Sequence, residues 1–237
     1  MTRYLYHASM RAMGIKESGA YDATGPRHAD IYNTLWEYET PINFRWAPLA
    51  ADQLAALKKI NSRASETEDI RRPDLIVLGG GAWDRLHVYA TDEDRQSHAV
   101  TLKELGREMV KAREHGAAVV WFIPTTINSP ALNTEEKRDH MREEDMEALR
   151  AVYARNGILS SSSFVIDGPA FTRSRVAESY DGVHYPIQGA TAMVFLFCWT
   201  FQNITDFIAM LPQFMMQGPK FCSTHWTGYC RAALSPQ

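Results

Sequence analysis

The stretch "DLIVLGGG" at Asp74–Gly81 decides the fold, because it is a short, continuously apolar run that ends in three glycines. A run without polar alternation is typical of a strand that is covered on both faces, as in parallel sheets with helices on either side. Three more short segments predict strands: "PINFRW" (Pro41–Trp46), "AAVVWFIP" (Ala117–Pro124) and "SSFVIDG" (Ser162–Gly168); of these, only the second is also continuously apolar.

Between these runs lie longer segments whose apolar residues recur at helical spacing. They cover Pro48–Ile60, Ser97–Gly116 and Asn133–Gly157, and the last two end at a glycine suited to a helix C-terminus. Strands that alternate with helices through short loops predict an α/β fold, a three-layer, doubly wound parallel sheet. The dense charges from Glu135 to Glu147 indicate a solvated helix face.

Length and composition predict one α/β domain over residues 1–201, followed by a tail at 202–237 without periodicity. The 237 residues are 45% hydrophobic, enough for one sizeable core. The apolar run Ile187–Ile204 is short for a membrane span and favours a buried helix, so we predict no membrane span in this chain. The amphipathic N-terminal segment lacks the apolar centre of a secretory signal, and the localisation stays open.

Charge and cysteine content exclude two further classes. A formal charge of -3 without a basic stripe argues against a nucleic-acid partner. The three cysteines, Cys198, Cys222 and Cys230, have no metal-ligand spacing, so no metal site is predicted.

The segment "YDGVHYP" at Tyr180–Pro186 carries the clearest chemical pattern. It places Asp181 three residues before His184, in a loop at the carboxyl side of the predicted sheet, where ligands bind in such folds. His184 could then serve as a general base while Asp181 accepts its other ring N–H. The alternative is a structural turn in which Asp181 caps the following helix.

A strand that ends in glycines and an Asp, followed late in the chain by Asp-x-x-His, resembles the SGNH (GDSL-like) hydrolases. More narrowly, "GGGAW" at Gly79–Trp83, "NFRWAP" and "DGVHYP" resemble the PC-esterase branch, which includes sialic acid and plant cell-wall polysaccharide O-acetyltransferases. The resemblance covers roughly residues 1–199. It implies a serine esterase or O-acetyltransferase with Asp181 and His184 as its acid–base pair, an acetylated glycan or acyl donor as partner, and no cofactor.

The same resemblance places the nucleophile outside the chain. In the family a Gly-Asp-Ser motif ends the first strand and a helix follows directly, and "MTRYLYHAS" is similar to the start of that helix. The serine would then immediately precede Met1, so the first strand is expected to be missing and the chain inactive as given. Because a lost interior strand leaves buried N–H and C=O groups unpaired, we also expect residues 1–237 alone to fold poorly.

The resemblance further implies a substrate and oxyanion pocket around Gly80, Gly81, Trp83 and Asp84, with Arg3 nearby. Trp83 stands where the wider family has an asparagine donor. An indole N–H can donate one hydrogen bond, but a core or substrate-stacking role is equally open. Two other functions stay open for the whole chain: a carbohydrate-binding pseudoenzyme, and an unrelated flavodoxin-like binding domain.

Overall fold

A computed structural model of the chain describes residues 2–12, 28–35, 40–66 and 72–186, together with 191, 192 and 196. The chain divides into two compact units, Met1–Met193 and Val194–Gln237. All the elements described here belong to the first unit. The predicted tail, the three cysteines and most of the apolar run at 187–204 lie outside the described residues.

The elements follow one another in the order expected of an α/β chain, preceded by a helix and a hairpin. They are α1 (Thr2–Ala12), β1 (Ile31–Leu35), β2 (Thr40–Phe44), α2 (Ala50–Glu66), β3 (Leu75–Gly79), α3 (Ala82–His87), α4 (Asp92–Glu114), β4 (Ala118–Ile123), α5 (Glu135–His140), α6 (Glu143–Arg155), α7 (Ile158–Ser161), β5 (Phe164–Asp167) and α8 (Gly168–Thr172). Short 3-10 helices cover Ser129–Ala131 and Arg173–Glu178.

The central sheet confirms the predicted α/β fold. Its three strands are parallel and lie in the order β3-β4-β5, flanked by helices as in flavodoxin-like proteins. The middle strand β4 is buried on both faces, and Val119, Val120, Trp121 and Phe122 are each at most 1% exposed. Continuous burial explains why this strand reads as an unbroken apolar run.

The segment Pro41–Trp46 forms a strand, but the expectation that it joins the parallel sheet is wrong. Its residues belong to β2, which pairs antiparallel with β1 in a separate two-stranded sheet. Only residues 36–39 connect β1 to β2. A parallel pair needs a crossover of a dozen residues or more, so this short connection allows only a hairpin.

Helix boundaries differ from the sequence prediction: α2, predicted to end at Ile60, continues to Glu66. Helix α4 begins at Asp92, ahead of the predicted Ser97, because Thr91 and Asp94 form a capping box with bonds of 3.1 and 2.9 Å. The predicted helix Asn133–Gly157 is two helices, α5 and α6. Met141 separates them, since its side chain is buried in the core and its φ of -137° is not helical.

Candidate active site

The loop at 179–186 follows the second 3-10 helix and brings Asp181 and His184 into direct contact. The Nδ1 atom of His184 lies 2.7 Å from Oδ2 of Asp181. The other carboxylate oxygen accepts the backbone N–H of Val183 at 3.0 Å and of His184 at 2.8 Å. Because both carboxylate oxygens are held within one tight turn, the pair is formed locally, by the residues of the motif itself.

The charge state of Asp181 fixes the tautomer of His184. Burial by itself would raise the pKa of Asp181, but hydrogen bonds from the His184 ring and from the backbone of His184 and Val183 outweigh it and hold the pKa below its usual value. The carboxylate is therefore ionised and can only accept, so the imidazole proton lies on Nδ1. The lone pair of Nε2 is then available to take a proton from another group.

The loop is fastened to the segment that follows β4. The Tyr185 hydroxyl donates to the carbonyl of Thr126 at 2.7 Å, and the Asn128 N–H donates to the carbonyl of Gly182 at 2.9 Å. Thr125 Oγ1 adds a bond of 3.3 Å to the carbonyl of Val183. Burial first, and then the Glu143 carboxylate, raises the pKa of Tyr185 to about 12, so its hydroxyl stays a donor.

Glycine at position 182 is required by both its backbone and its surroundings. Its φ is +85°, and a Cβ there would lie 2.6 Å from Cδ2 of Leu132 and 3.0 Å from the carbonyl oxygen of Asn128. A methyl group would therefore push the loop away from the segment that holds it.

We expect Gly182→Ala to lower the free energy of unfolding by about 2–4 kcal/mol, combining backbone strain with overpacking. Gly116→Ala is the matched control, since Gly116 has φ +95° but nothing within 4 Å of an added Cβ. That control should cost about 1 kcal/mol, from strain alone. Urea unfolding of both variants measures the difference, and equal losses would show that the close contact at Gly182 is unimportant.

The segment 124–128 is itself braced from helix α6. Arg150 donates from Nε to the carbonyl of Pro124 at 3.0 Å and from Nη2 to that of Thr125 at 2.7 Å. Glu143 accepts from Arg150 Nη1 at 2.8 Å and from the N–H of Ile127 at 2.5 Å. Glu143 therefore lies within the predicted solvated charge run but performs a structural role.

Helix α1 approaches His184 from its N-terminal turn. The ring centroids of Tyr4 and His184 are 5.5 Å apart. The exposed ring of Tyr180 lies near the same imidazole, with its centroid 6.2 Å away. Arg3, predicted near the pocket, is in the same turn as Tyr4, and its Nε donates to His7 Nε2 at 3.3 Å. The start of α1 thus lies beside the imidazole.

The glycine turn after β3 is held tightly at the carboxyl edge of the sheet. Gly81 has φ +119°, and a Cβ there would lie 2.7 Å from the Tyr153 hydroxyl and 3.0 Å from Cγ of Pro124. At Gly80 a Cβ would lie 3.0 Å from Nε2 of Gln53. Because Gly81 abuts Pro124, and the segment after Pro124 holds the Asp181–His184 loop, the turn and the loop share one edge of the sheet.

Asp84 and Trp83 point to different environments. Asp84 is only 2% exposed; its Oδ1 accepts the Ala50 N–H at 3.0 Å and lies 3.5 Å from Nε2 of the buried His98. Its carboxylate therefore ties α3 to the start of α2. Trp83 is 37% exposed and contacts other aromatic rings, so it is not a core residue. No contact links either side chain to His184.

Sequence reasoning missed Arg150, Glu143 and Tyr4, which position or flank the pair. Polar residues directly after a buried strand, as in "PTTIN" at 124–128, were the available signal, because such a segment needs partners for its backbone groups. The partner residues lie on a distant helix, and nothing in the local pattern of α6 distinguishes Arg150 from its solvated neighbours.

Comparison with known proteins gives no further assignment: no family model matches the chain, and no curated protein is similar enough to match. Within residues 2–186, apart from the gaps given above, and at 191, 192 and 196, no helix is long and apolar enough to cross a membrane. In the same part of the chain, no three His, Cys, Asp or Glu side chains are grouped to hold a metal ion.

Proposed function

We propose that the chain forms the acid–base part of a serine esterase or O-acetyltransferase that acts on acetyl esters of carbohydrates. The observation that carries this proposal is the Asp181–His184 pair, in which Oδ2 of Asp181 lies 2.7 Å from Nδ1 of His184. Its position at the carboxyl edge of a parallel sheet, where ligands bind in α/β folds, supports it further.

In the proposed reaction, a serine Oγ attacks the acetyl carbonyl carbon while His184 Nε2 takes the hydroxyl proton. The ionised Asp181 stabilises the imidazolium that forms. His184 then returns the proton to the departing sugar oxygen, which leaves an acetyl-serine. Water or a sugar hydroxyl attacks this ester, with His184 again as base, and the serine is regenerated.

The serine is the one that the resemblance puts directly before Met1. The 5.5 Å contact between Tyr4 and His184 supports this position, because a residue at the start of α1 would lie next to the imidazole. Packing of α1 against β3 is also the arrangement expected of a helix that follows a parallel strand. Within α1, Ser9 is unsuited as nucleophile, since its Oγ donates to the Leu5 carbonyl at 2.9 Å.

The negative oxygen of the tetrahedral intermediate would be bound by the serine N–H and by backbone N–H groups of the turn at Gly80 and Gly81. An added Cβ at Gly80 or Gly81 would lie too close to neighbouring atoms. Because neither residue has a Cβ, a ligand can come close to their backbone N–H groups. Asp84 supports the turn from within the protein, and Trp83 faces an aromatic cluster, so neither serves as the oxyanion donor in this proposal.

The first experiment is to read the transcript upstream of Met1. We expect an in-frame apolar strand that ends in Gly-Asp-Ser. A polypeptide carrying that segment should hydrolyse 4-nitrophenyl acetate and should be labelled at the serine by a fluorophosphonate, whereas residues 1–237 alone should show neither property. An in-frame stop codon directly before Met1 would contradict the proposed nucleophile.

A second function, carbohydrate binding without turnover, is favoured by one specific observation. Among the residues that the structure describes, Asp181 is the only hydrogen-bond partner of the His184 ring, so no hydroxyl there donates a hydrogen bond to Nε2. If no serine precedes Met1, the chain would retain a sugar-binding edge without a nucleophile. Saccharide binding without esterase activity would then be the expected result.

A further inference from the structure

Four aromatic rings meet outside the hydrophobic core, next to the glycine turn. We call His28, Trp46, Trp83 and His87 the aromatic cluster. His28 stacks on Trp46 at 4.4 Å with 14° between the rings, and Trp83 stands perpendicular to both, at 5.4 Å from His28 and 5.8 Å from Trp46. His87, one turn along α3, lies 5.1 Å from Trp83.

The cluster leaves much of its aromatic surface in contact with water. Trp83 is 37% exposed, the His87 side chain 43% exposed, and His28 is also exposed. Trp46 is half-buried, because it packs on the small cluster formed by Tyr6, Met10 and Phe44. Burial of an indole ring removes a large apolar surface from water. Packing alone therefore does not explain why two indole rings are held together at the surface.

The rings are held in place by their backbone. Asp30 Oδ1 accepts the N–H of Trp46 at 2.7 Å, which fixes the end of the hairpin. On the other side, the buried Asp84 fixes α3, the helix that carries Trp83. A surface whose side chains are already ordered loses little conformational entropy when a ligand binds.

Polar side chains stand at the margin of the cluster. Asp30 lies 3.8 Å from Arg45, and Glu136 lies 3.7 Å from Nδ1 of His87. These side chains supply hydrogen-bond donors and acceptors beside the rings.

We propose that the aromatic cluster binds a neutral oligosaccharide, with a pyranose ring stacked on Trp83. A pyranose has an apolar face of C–H groups, which suits an aromatic face, and hydroxyl groups at its rim, which suit the paired polar side chains. The cluster begins where β3 ends, at the sheet edge that carries Asp181 and His184. The inference rests on the proposed function: the cluster would hold a sugar of the chain whose acetyl ester reacts at His184.

The test is binding of cellohexaose, xylohexaose, maltohexaose and chitohexaose to the polypeptide that carries the segment upstream of Met1, or to residues 1–237 if a stop codon directly precedes Met1. Calorimetry and shifts of the Trp83 indole resonance measure the binding. We expect at least one of them to bind, and Trp83→Ala to weaken that binding about tenfold or more, in line with stacking of a ring on an aromatic side chain. Trp83→Phe should retain part of the affinity. Val100→Ala is the control, because Val100 is 64% exposed on α4 and outside the cluster.

Binding that Trp83→Ala leaves unchanged would overturn the inference, and so would failure of all four sugars to bind. Thermal unfolding of each variant shows whether it is folded. Cellohexaose or another bound sugar should still bind to His184→Ala, which has no base for the reaction. In the polypeptide that carries Gly-Asp-Ser upstream of Met1, sugar binding without any esterase activity would therefore refute the proposed reaction alone, whereas esterase activity without sugar binding would refute the aromatic site alone.

Discussion

His184→Ala is expected to lower kcat for an acetyl ester by roughly four to six orders of magnitude in a polypeptide that carries a serine directly before Met1. Without the imidazole no group takes the serine proton as the carbonyl is attacked. Asp181→Asn should cost about 10⁴-fold, since an amide at this position would favour the wrong imidazole tautomer. Initial rates with 4-nitrophenyl acetate measure both variants.

The matched control for this prediction is His140→Ala. His140 is an exposed histidine at the end of α5, so its removal tests for unspecific hydrolysis of the ester by surface imidazoles. We expect its rate to equal that of the parent protein. If His184→Ala kept the parent rate while remaining folded, the assignment of the acid–base pair would be wrong.

Arg150→Met is expected to lower the free energy of unfolding by about 3–5 kcal/mol, the range found when one partner of a buried ion pair is removed. The side chain of Arg150 is only 9% exposed, and its loss takes the guanidinium donor from the carbonyls of Pro124 and Thr125. Glu143 loses its buried cationic partner and keeps only the Ile127 N–H. Methionine keeps the apolar stem, so the measured loss reports the hydrogen bonds.

Arg95→Met provides the comparison for Arg150. Arg95 pairs with Asp92 on the exposed surface of α4, where its side chain is 48% exposed, and such pairs contribute about 1 kcal/mol or less. Chemical denaturation should therefore give clearly different losses of unfolding free energy for the two variants. A loss below about 1 kcal/mol for Arg150→Met would show that the segment 124–128 does not depend on this brace.

The parts of the fold that could be predicted from the sequence are those set by local burial. Strand β4 is buried on both faces, so its apolar run is unbroken, whereas β3 and β5 each have one buried residue, Ile76 and Ile166. The hairpin was less predictable, because β1 is "IYNTL", a mixed sequence whose strand conformation depends on pairing with β2. The break between α5 and α6 depends on the burial of Met141, which a charge-rich helical pattern conceals.

The candidate site also has a part that could be predicted from the sequence and a part that could not. Asp181 and His184 are three residues apart and form their bond within one turn, so the spacing alone was enough to suggest the contact. The inward orientation of the Asp84 side chain was not predictable, because its hydrogen-bond partner Ala50 begins a helix far away in the sequence. The aromatic cluster likewise combines the hairpin with α3, and only the folded chain brings those rings together.

The imidazole nitrogen resonances of His184 test the central claim most directly, because they report which ring nitrogen carries the proton. In the polypeptide that carries the segment upstream of Met1, labelled with ¹⁵N-histidine and at a pH where the ring is neutral, we predict a protonated Nδ1 with a strongly downfield proton and an unprotonated Nε2. Asp181→Asn should abolish the downfield proton. A neutral ring with its proton on Nε2 would contradict the account, because that nitrogen could not act as the base.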